Sequence, residues 1–182
     1  MSATRLLILG ALRFMQPTHG YSLRRELESW RAGEWANIAY GSIYFALNKM
    51  AEEGLVAVSE TDQVGKRPAR TTYVITDEGE VEFQRLLREY WWEYKPITDP
   101  FMVAGSFMDQ LPRDELIAAL RHHASLARLA AEGLLNARNV VDENDYKPRH
   151  VEAVLRLAVA RIQAEISWSE EMIAMVERGE LP

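Results

Sequence analysis

Asn48 and Lys49 stand together inside the stretch AYGSIYFALNKMAEEG, residues 39–54, and their side chains have the chemistry to read nucleic-acid base edges. An asparagine amide pairs a donor with an acceptor and matches adenine, while a lysine ammonium donates to guanine. Phe45, three positions before Asn48, offers an apolar ring to a thymine methyl group. Ser42 follows Gly41 at the start of the same stretch, where the N–H groups of a helix beginning and its macrodipole would favour a phosphate. Lys66, Arg67 and Arg70 fall within five residues with no acid among them. Side chains grouped in this way reach a phosphate backbone or a minor groove. A solvated turn also carries lysine and arginine, so the elements around them must decide.

The same inventory holds little for catalysis. The histidines are His19, His122, His123 and His150, and the adjacent pair would point about 100° apart on a helix. No HExxH, Walker loop, GxSxG or dinucleotide glycine pattern occurs. Zero cysteines exclude a disulfide framework, thiol catalysis and thiol-based zinc sites. An enzyme is therefore not expected, and neither a metal nor a cofactor is implied. With 182 residues, 48% of them hydrophobic, the chain can bury one or two cores. A net charge of −6 argues against a generic nucleic-acid coat, yet most of the acidic excess falls after Lys95. A sequence-specific reader needs only a local basic patch. The apolar run Leu6–Leu12 resembles a signal peptide superficially but ends at Arg13, with no small-x-small cleavage pattern after it. Nowhere do about 18 apolar residues run together. A cytoplasmic protein with no membrane association is expected.

Which elements would hold these residues follows from periodicity. Set at about 100° intervals, a helix over 41–53 places Ile43, Ala46, Leu47 and Met50 on one core-facing side. Gly41, Phe45, Asn48 and Glu52 then face outward, with Tyr44 and Lys49 on the flanks. Gly54 stops the helix, and a β-prone run follows at once. Before it, Thr4–Met15 reads as a first helix through Leu6, Leu7, Leu9 and Leu12. Gln16-Pro17-Thr18 breaks that helix, and Thr18 is placed to cap a second one running to Trp30. Residues 31–40 read as a loop. After the third helix, residues 55–60 and 71–75 read as strands around a tip holding Gly65 and Pro68. Three helices and a two-stranded wing are the order of a winged helix-turn-helix. The cation cluster then sits at the wing tip, beside a suspected recognition helix.

Beyond the wing the chain reads as helical. Thr76 caps a helix whose first turn holds Asp77, Glu78 and Glu80, and which runs through Phe83, Leu87, Tyr90 and Trp91 to about Tyr94. Pro96 and Pro100 bracket a linker, and residues 101–110 form a short apolar helix. A long helix runs from about Leu111 to Val141, and a last one starts at Pro148. Both have one apolar side and much alanine, which suits an antiparallel hairpin that pairs with a second copy. The expected class is mainly α with a small β-wing: a winged helix-turn-helix domain with its connecting helix over 1–95, and a helical dimerisation domain over 96–182.

Several segments together resemble the PadR family of bacterial transcriptional regulators. They are His19-Gly20-Tyr21, Gly41-Ser42-Ile43-Tyr44 with Ala46-Leu47, Glu52-Glu53-Gly54-Leu55-Val56, and Arg70-Thr71-Thr72-Tyr73-Val74-Ile75-Thr76-Asp77-Glu78-Gly79. Their order and spacing agree over about residues 5–90. The chain departs from the family pattern at Phe45, where proline is usual, and in the loop 35–40, which lacks the serine and proline run. The resemblance implies that Tyr21 is a phosphate contact, against a role as a buried core tyrosine. With the residues read from position above, the candidate DNA contacts are Tyr21, Ser42, Tyr44, Phe45, Asn48, Lys49, Lys66, Arg67 and Arg70, and the resemblance implies dimerisation through the C-terminal helices. It further implies a dimeric repressor on a pseudo-palindromic double-stranded operator, released by a small aromatic or hydrophobic effector. Trp91, Trp92 and Trp168 are the candidate effector contacts, unless those rings simply fill a dimer core. The rival is a winged helix that recruits protein partners without reading DNA.

Overall fold

Ile8, Leu9 and Leu12 meet Leu23, Leu27, Ile43 and Leu47 in a core from which water is fully excluded. In this computed structural model, residues 2–36, 38–62, 70–143 and 149–181 are described. They fall into two compact units, Met1–Pro96 and Ile97–Pro182.

The first unit runs α1 (Ser2–Met15), β1 (Thr18–His19), α2 (Gly20–Ser29), α3 (Ala32–Trp35), α4 (Ser42–Glu52), β2 (Val56–Asp62), β3 (Arg70–Ile75) and α5 (Asp77–Trp92). Its sheet has the order β1-β3-β2, antiparallel throughout. The sequence pattern points to the two wing strands and misses the third. Thr18 does not cap α2: it pairs with Tyr73 across the sheet, and His19 precedes the helix in extended conformation without a side-chain cap. The free edge of β3 draws those two residues into a ladder. The expected loop 31–40 also contains a helical turn, α3. Arg31 enters it at φ 54°, Ala32 is buried, and the Tyr40 hydroxyl accepts from the Gly33 N–H at 3.0 Å.

Two glycines fix how α4 hands over to the sheet and α5. Gly54 adopts φ 75°, the left-handed conformation that ends a helix at no steric cost. Gly79, in the first turn of α5, lies against the Leu55 carbonyl, where any Cβ would overlap backbone. The Thr76 hydroxyl caps α5 by accepting from the Gly79 N–H at 3.0 Å and donates to the Gly54 carbonyl at 2.7 Å. Arg5 ties α1 to both partners through Glu53 at 2.6 Å and Glu82 at 3.4 Å.

The second unit comprises α6 (Pro100–Gly105), a 3-10 turn at Met108–Gln110, α7 (Arg113–Glu143) and α8 (Arg149–Glu177). The single apolar helix expected over 101–110 is thus broken near Ser106. α7 and α8 run antiparallel: Arg113 donates to the Val176 and Glu177 carbonyls, Arg121 pairs with Glu177, and Arg128 pairs with Glu170. Leu116, Ile117, Leu120 and Val176 form its core, and buried Ala124, Ala127 and Ala131 let the helices approach closely. Among the described residues, no helix is long and apolar enough to cross a membrane. The molecule is mostly helical with one small antiparallel sheet.

Candidate nucleic-acid interface

Burial on α4 follows its 3.6-residue period. Ile43 and Leu47 are 0% exposed and Met50 2%, whereas Phe45 is 68% exposed and Tyr44 38%. Asn48 is also exposed and Lys49 half-buried. The inner stripe anchors the helix to α1 and α2, so the outer face is held rigidly toward solvent. Ser42 differs from its expected role in one respect. Its N–H and its hydroxyl both donate to the Ala39 carbonyl, at 2.8 and 2.7 Å, and the Ile43 N–H reaches Tyr40 at 3.4 Å. The turn before α4 consumes those hydrogens, leaving Ser42 as a hydroxyl acceptor beside the helix dipole.

The short sequence segments that carried the family resemblance are assembled into one cluster. A Cβ on Gly20 would stand 3.1 Å from the Tyr44 ring and 3.4 Å from the Tyr73 ring, so both rings pack closely on the start of α2 and an added methyl would press on Tyr44. His19 Nδ1 lies 3.1 Å from the Thr72 hydroxyl. The Tyr73 hydroxyl donates to Asn48 Oδ1 at 3.5 Å. Burial pushes the Tyr73 phenol pKa up, opposed by a hydrogen bond from Thr71. Tyr21, next to Gly20, is 62% exposed, with the Arg25 guanidinium 6.0 Å from its ring centre. It is therefore not a core tyrosine. Arg24 on the same helix is paired with Glu28 at 2.7 Å, and that carboxylate raises its pKa.

Tyr21 on α2 and Tyr44, Phe45 and Asn48 on α4 thus belong to one closely packed set of elements with outward-facing side chains. Thr4, Arg5, Ser42, Phe45, Ala46, Lys49 and Met50 line a surface depression of about 170 Å³ between α1 and α4. Lys66 and Arg67 lie outside the described residues, as does the side chain of Arg70, which opens β3. Tyr73 and His19 were not singled out from sequence as site residues. The signal lay in the segments they belong to, but which partner each meets depends on the sheet.

Trp91 and Trp92 end α5 at 82% and 86% exposure. In the second unit Trp168 meets Phe101 edge-on at 5.6 Å, and Phe101 stacks on His123 at 4.0 Å. His123 Nε2 lies 3.6 Å from the Glu165 carboxylate. Leu126 and Leu129 on α7, with Val154 and Leu157 on α8, are exposed. A groove of about 290 Å³ between these helices is lined by Leu134, Leu135, Leu155, Val159 and Ala160 among others. No group of His, Asp and Glu among the described residues is arranged to hold a metal ion.

Residues 8–85 match the model of the transcriptional regulator PadR-like family. No curated protein matches the chain in sequence. Among solved structures, the chain is similar to Bacillus subtilis PadR in complex with operator DNA at TM-score 0.74 and 23% identity, over 94% of this chain and 98% of that one. It is similar to Bacillus subtilis PadR in complex with p-coumaric acid at TM-score 0.74 and 21% identity, over 96% and 99%. The Vibrio cholerae virulence activator AphA aligns at TM-score 0.71 and 21% identity, over 96% and 98%. These neighbours and the family are regulators of transcription, not enzymes. Over residues 8–85 the chain is thus similar to the PadR-like family of transcriptional regulators, and over nearly its whole length it shares the fold of the solved PadR structures.

Proposed function

We propose that this protein is a cytoplasmic, homodimeric DNA-binding repressor that occupies a pseudo-palindromic operator and leaves it when a flat aromatic or hydrophobic molecule binds. The observation that carries the proposal is the outer face of α4. Phe45, Tyr44 and Asn48 stand exposed on it, with Lys49 on its flank, while the opposite face is sealed in the core. On this reading Asn48 and Lys49 read base edges and Phe45 packs on a thymine methyl group. Tyr44 flanks them, Ser42 and Tyr21 meet the phosphate backbone, and Lys66, Arg67 and Arg70 bring cations from the wing.

The exposed leucines of α7 and α8 support self-association, since two helices with apolar outer faces leave them wet in a monomer. A two-fold dimer reads two half-sites one helical turn apart, about 34–36 Å. Bacillus subtilis PadR, the similar fold, has been solved with operator DNA and with p-coumaric acid, which supports both the DNA and an aromatic effector. Trp91 and Trp92 on α5, and Trp168 on α8, are each proposed as a stacking surface for it.

The test is a mobility shift of DNA from upstream of the protein's own gene, followed by addition of phenolic acids and other flat apolar compounds. Retarded DNA that is released by at least one compound, with tryptophan quenching that weakens when DNA is present, is the expected result. Coupling of this kind is reciprocal and typically worth about 1–3 kcal/mol. Equal affinity for that DNA and for unrelated DNA of the same length would refute the operator-binding reading. A compound that binds equally well with and without DNA would refute its role as the releasing effector.

A further inference from the structure

Asn48 is an exposed side chain on a helix, and an unheld amide there turns freely about two bonds. A bidentate contact to adenine needs its oxygen and nitrogen presented in one plane and one sense. Tyr73 stands where it can impose that. It lies on β3, the middle strand of the sheet, with its ring buried against Gly20 and its hydroxyl 3.5 Å from Asn48 Oδ1. One lone pair of Oδ1 is then engaged by a rigid donor. The second could accept from an adenine amino group, and Nδ2, on the other arm of the amide, could donate to the ring nitrogen.

We infer that Tyr73 is a positioning residue for base recognition, orienting the Asn48 amide so that its donor–acceptor pair is set before DNA arrives. The inference rests on Asn48 reading a base, as proposed above. It assigns a specificity role to a buried wing-strand residue that itself reaches no base.

The experiment compares wild type, Tyr73→Phe, Asn48→Ala and the double variant on duplexes that wild-type protein selects from a randomised pool, with single-base changes along each half-site. Tyr73→Phe keeps the ring and its packing and removes only the hydroxyl. It should lower discrimination about twofold to twelvefold, the range set by one net hydrogen bond, at the same base position that Asn48→Ala affects. The salt dependence should not change, and Tyr73→Phe should add nothing in the Asn48→Ala background. A loss spread over all positions, or one that persists without Asn48, would overturn the inference. If Asn48→Ala leaves every base preference intact, the Asn48 reading itself fails and the positioning role with it. A second measurement needs no DNA: nitrogen-15 relaxation of the Asn48 side-chain amide in the full-length protein. An amide ordered in wild type and loosened in Tyr73→Phe is expected, and one as mobile in wild type as other surface amides would refute the role.

Discussion

Replacing Gly79 with alanine adds one methyl group at the junction of α4, β2 and α5. That Cβ would overlap the Leu55 carbonyl oxygen, lie 3.0 Å from the Leu55 carbonyl carbon and 2.8 Å from Ile75 Cγ1. Two of these three atoms are backbone, which cannot turn aside as a side chain does, so the first turn of α5 must move. Overpacking of this kind costs about 1–3 kcal/mol. The shift also strains the Thr76 cap on the Gly79 N–H, worth about 1 kcal/mol. It draws out the Thr76 N–H bond to the Leu55 carbonyl, now 3.2 Å, for about 1 kcal/mol more. Alanine's better helix propensity returns about 1 kcal/mol. The net expectation is a loss of about 2–4 kcal/mol, a large share of the stability of an ordinary domain. Urea unfolding followed by circular dichroism, at one fixed protein concentration, measures it. Gly105→Ala is the control, because a Cβ there meets nothing within 4 Å and should change stability little. A Gly79→Ala loss below about 1 kcal/mol, or one equal to that of Gly105→Ala, would refute the packing argument.

Removing residues 96–182 should leave a monomer or an aggregate, seen by sedimentation, because the apolar faces proposed to pair lie on α7 and α8; a folded dimer of residues 1–95 would contradict it. Alanine at Lys66, Arg67 or Arg70 should weaken binding to all sequences alike and lower the salt slope by about one per lost contact. Altered base preference with an unchanged slope would reverse those roles. Glu82 sits between Arg85 at 2.6 Å and Arg5 at 3.4 Å; the hydrogen bond from Arg85 is the main cause that holds its carboxyl below the usual range. A depressed carboxylate stabilises the fold above its unfolded pKa and loses that contribution as pH falls through the folded one. Glu82→Gln should therefore melt earlier than wild type at pH 7, with the gap closing as pH drops past about 4.3. A gap that is constant with pH would rule the charge out as its cause.

α4 was legible from sequence because its information is local. Ile43, Leu47 and Met50 repeat at the helical period, and a stripe of that kind is buried whatever it packs on. Thr76 and Gly54 were legible for the same reason: a hydroxyl at a helix start and a glycine at a helix end act on backbone a few residues away. The outward set of Phe45 and Asn48 followed as the complement of the buried stripe.

Thr18 and His19 carry no strand pattern, and two residues cannot show a period. They pair because β3, more than fifty residues later, brings an open edge beside them. Nothing near Gly20 says that Tyr44 and Tyr73 will press on it, and nothing near Asn48 names Tyr73 as its partner. Alanine at position 79 would look favourable by helix propensity, and it is the Leu55 carbonyl and the Ile75 side chain that forbid it. Periodicity and capping are properties of one segment, so sequence determined which faces turn in and where the helices start and stop. Contacts between segments depend on how separate surfaces meet in space, and the tertiary structure alone decided which residues of distant segments pack beneath the outer face of α4.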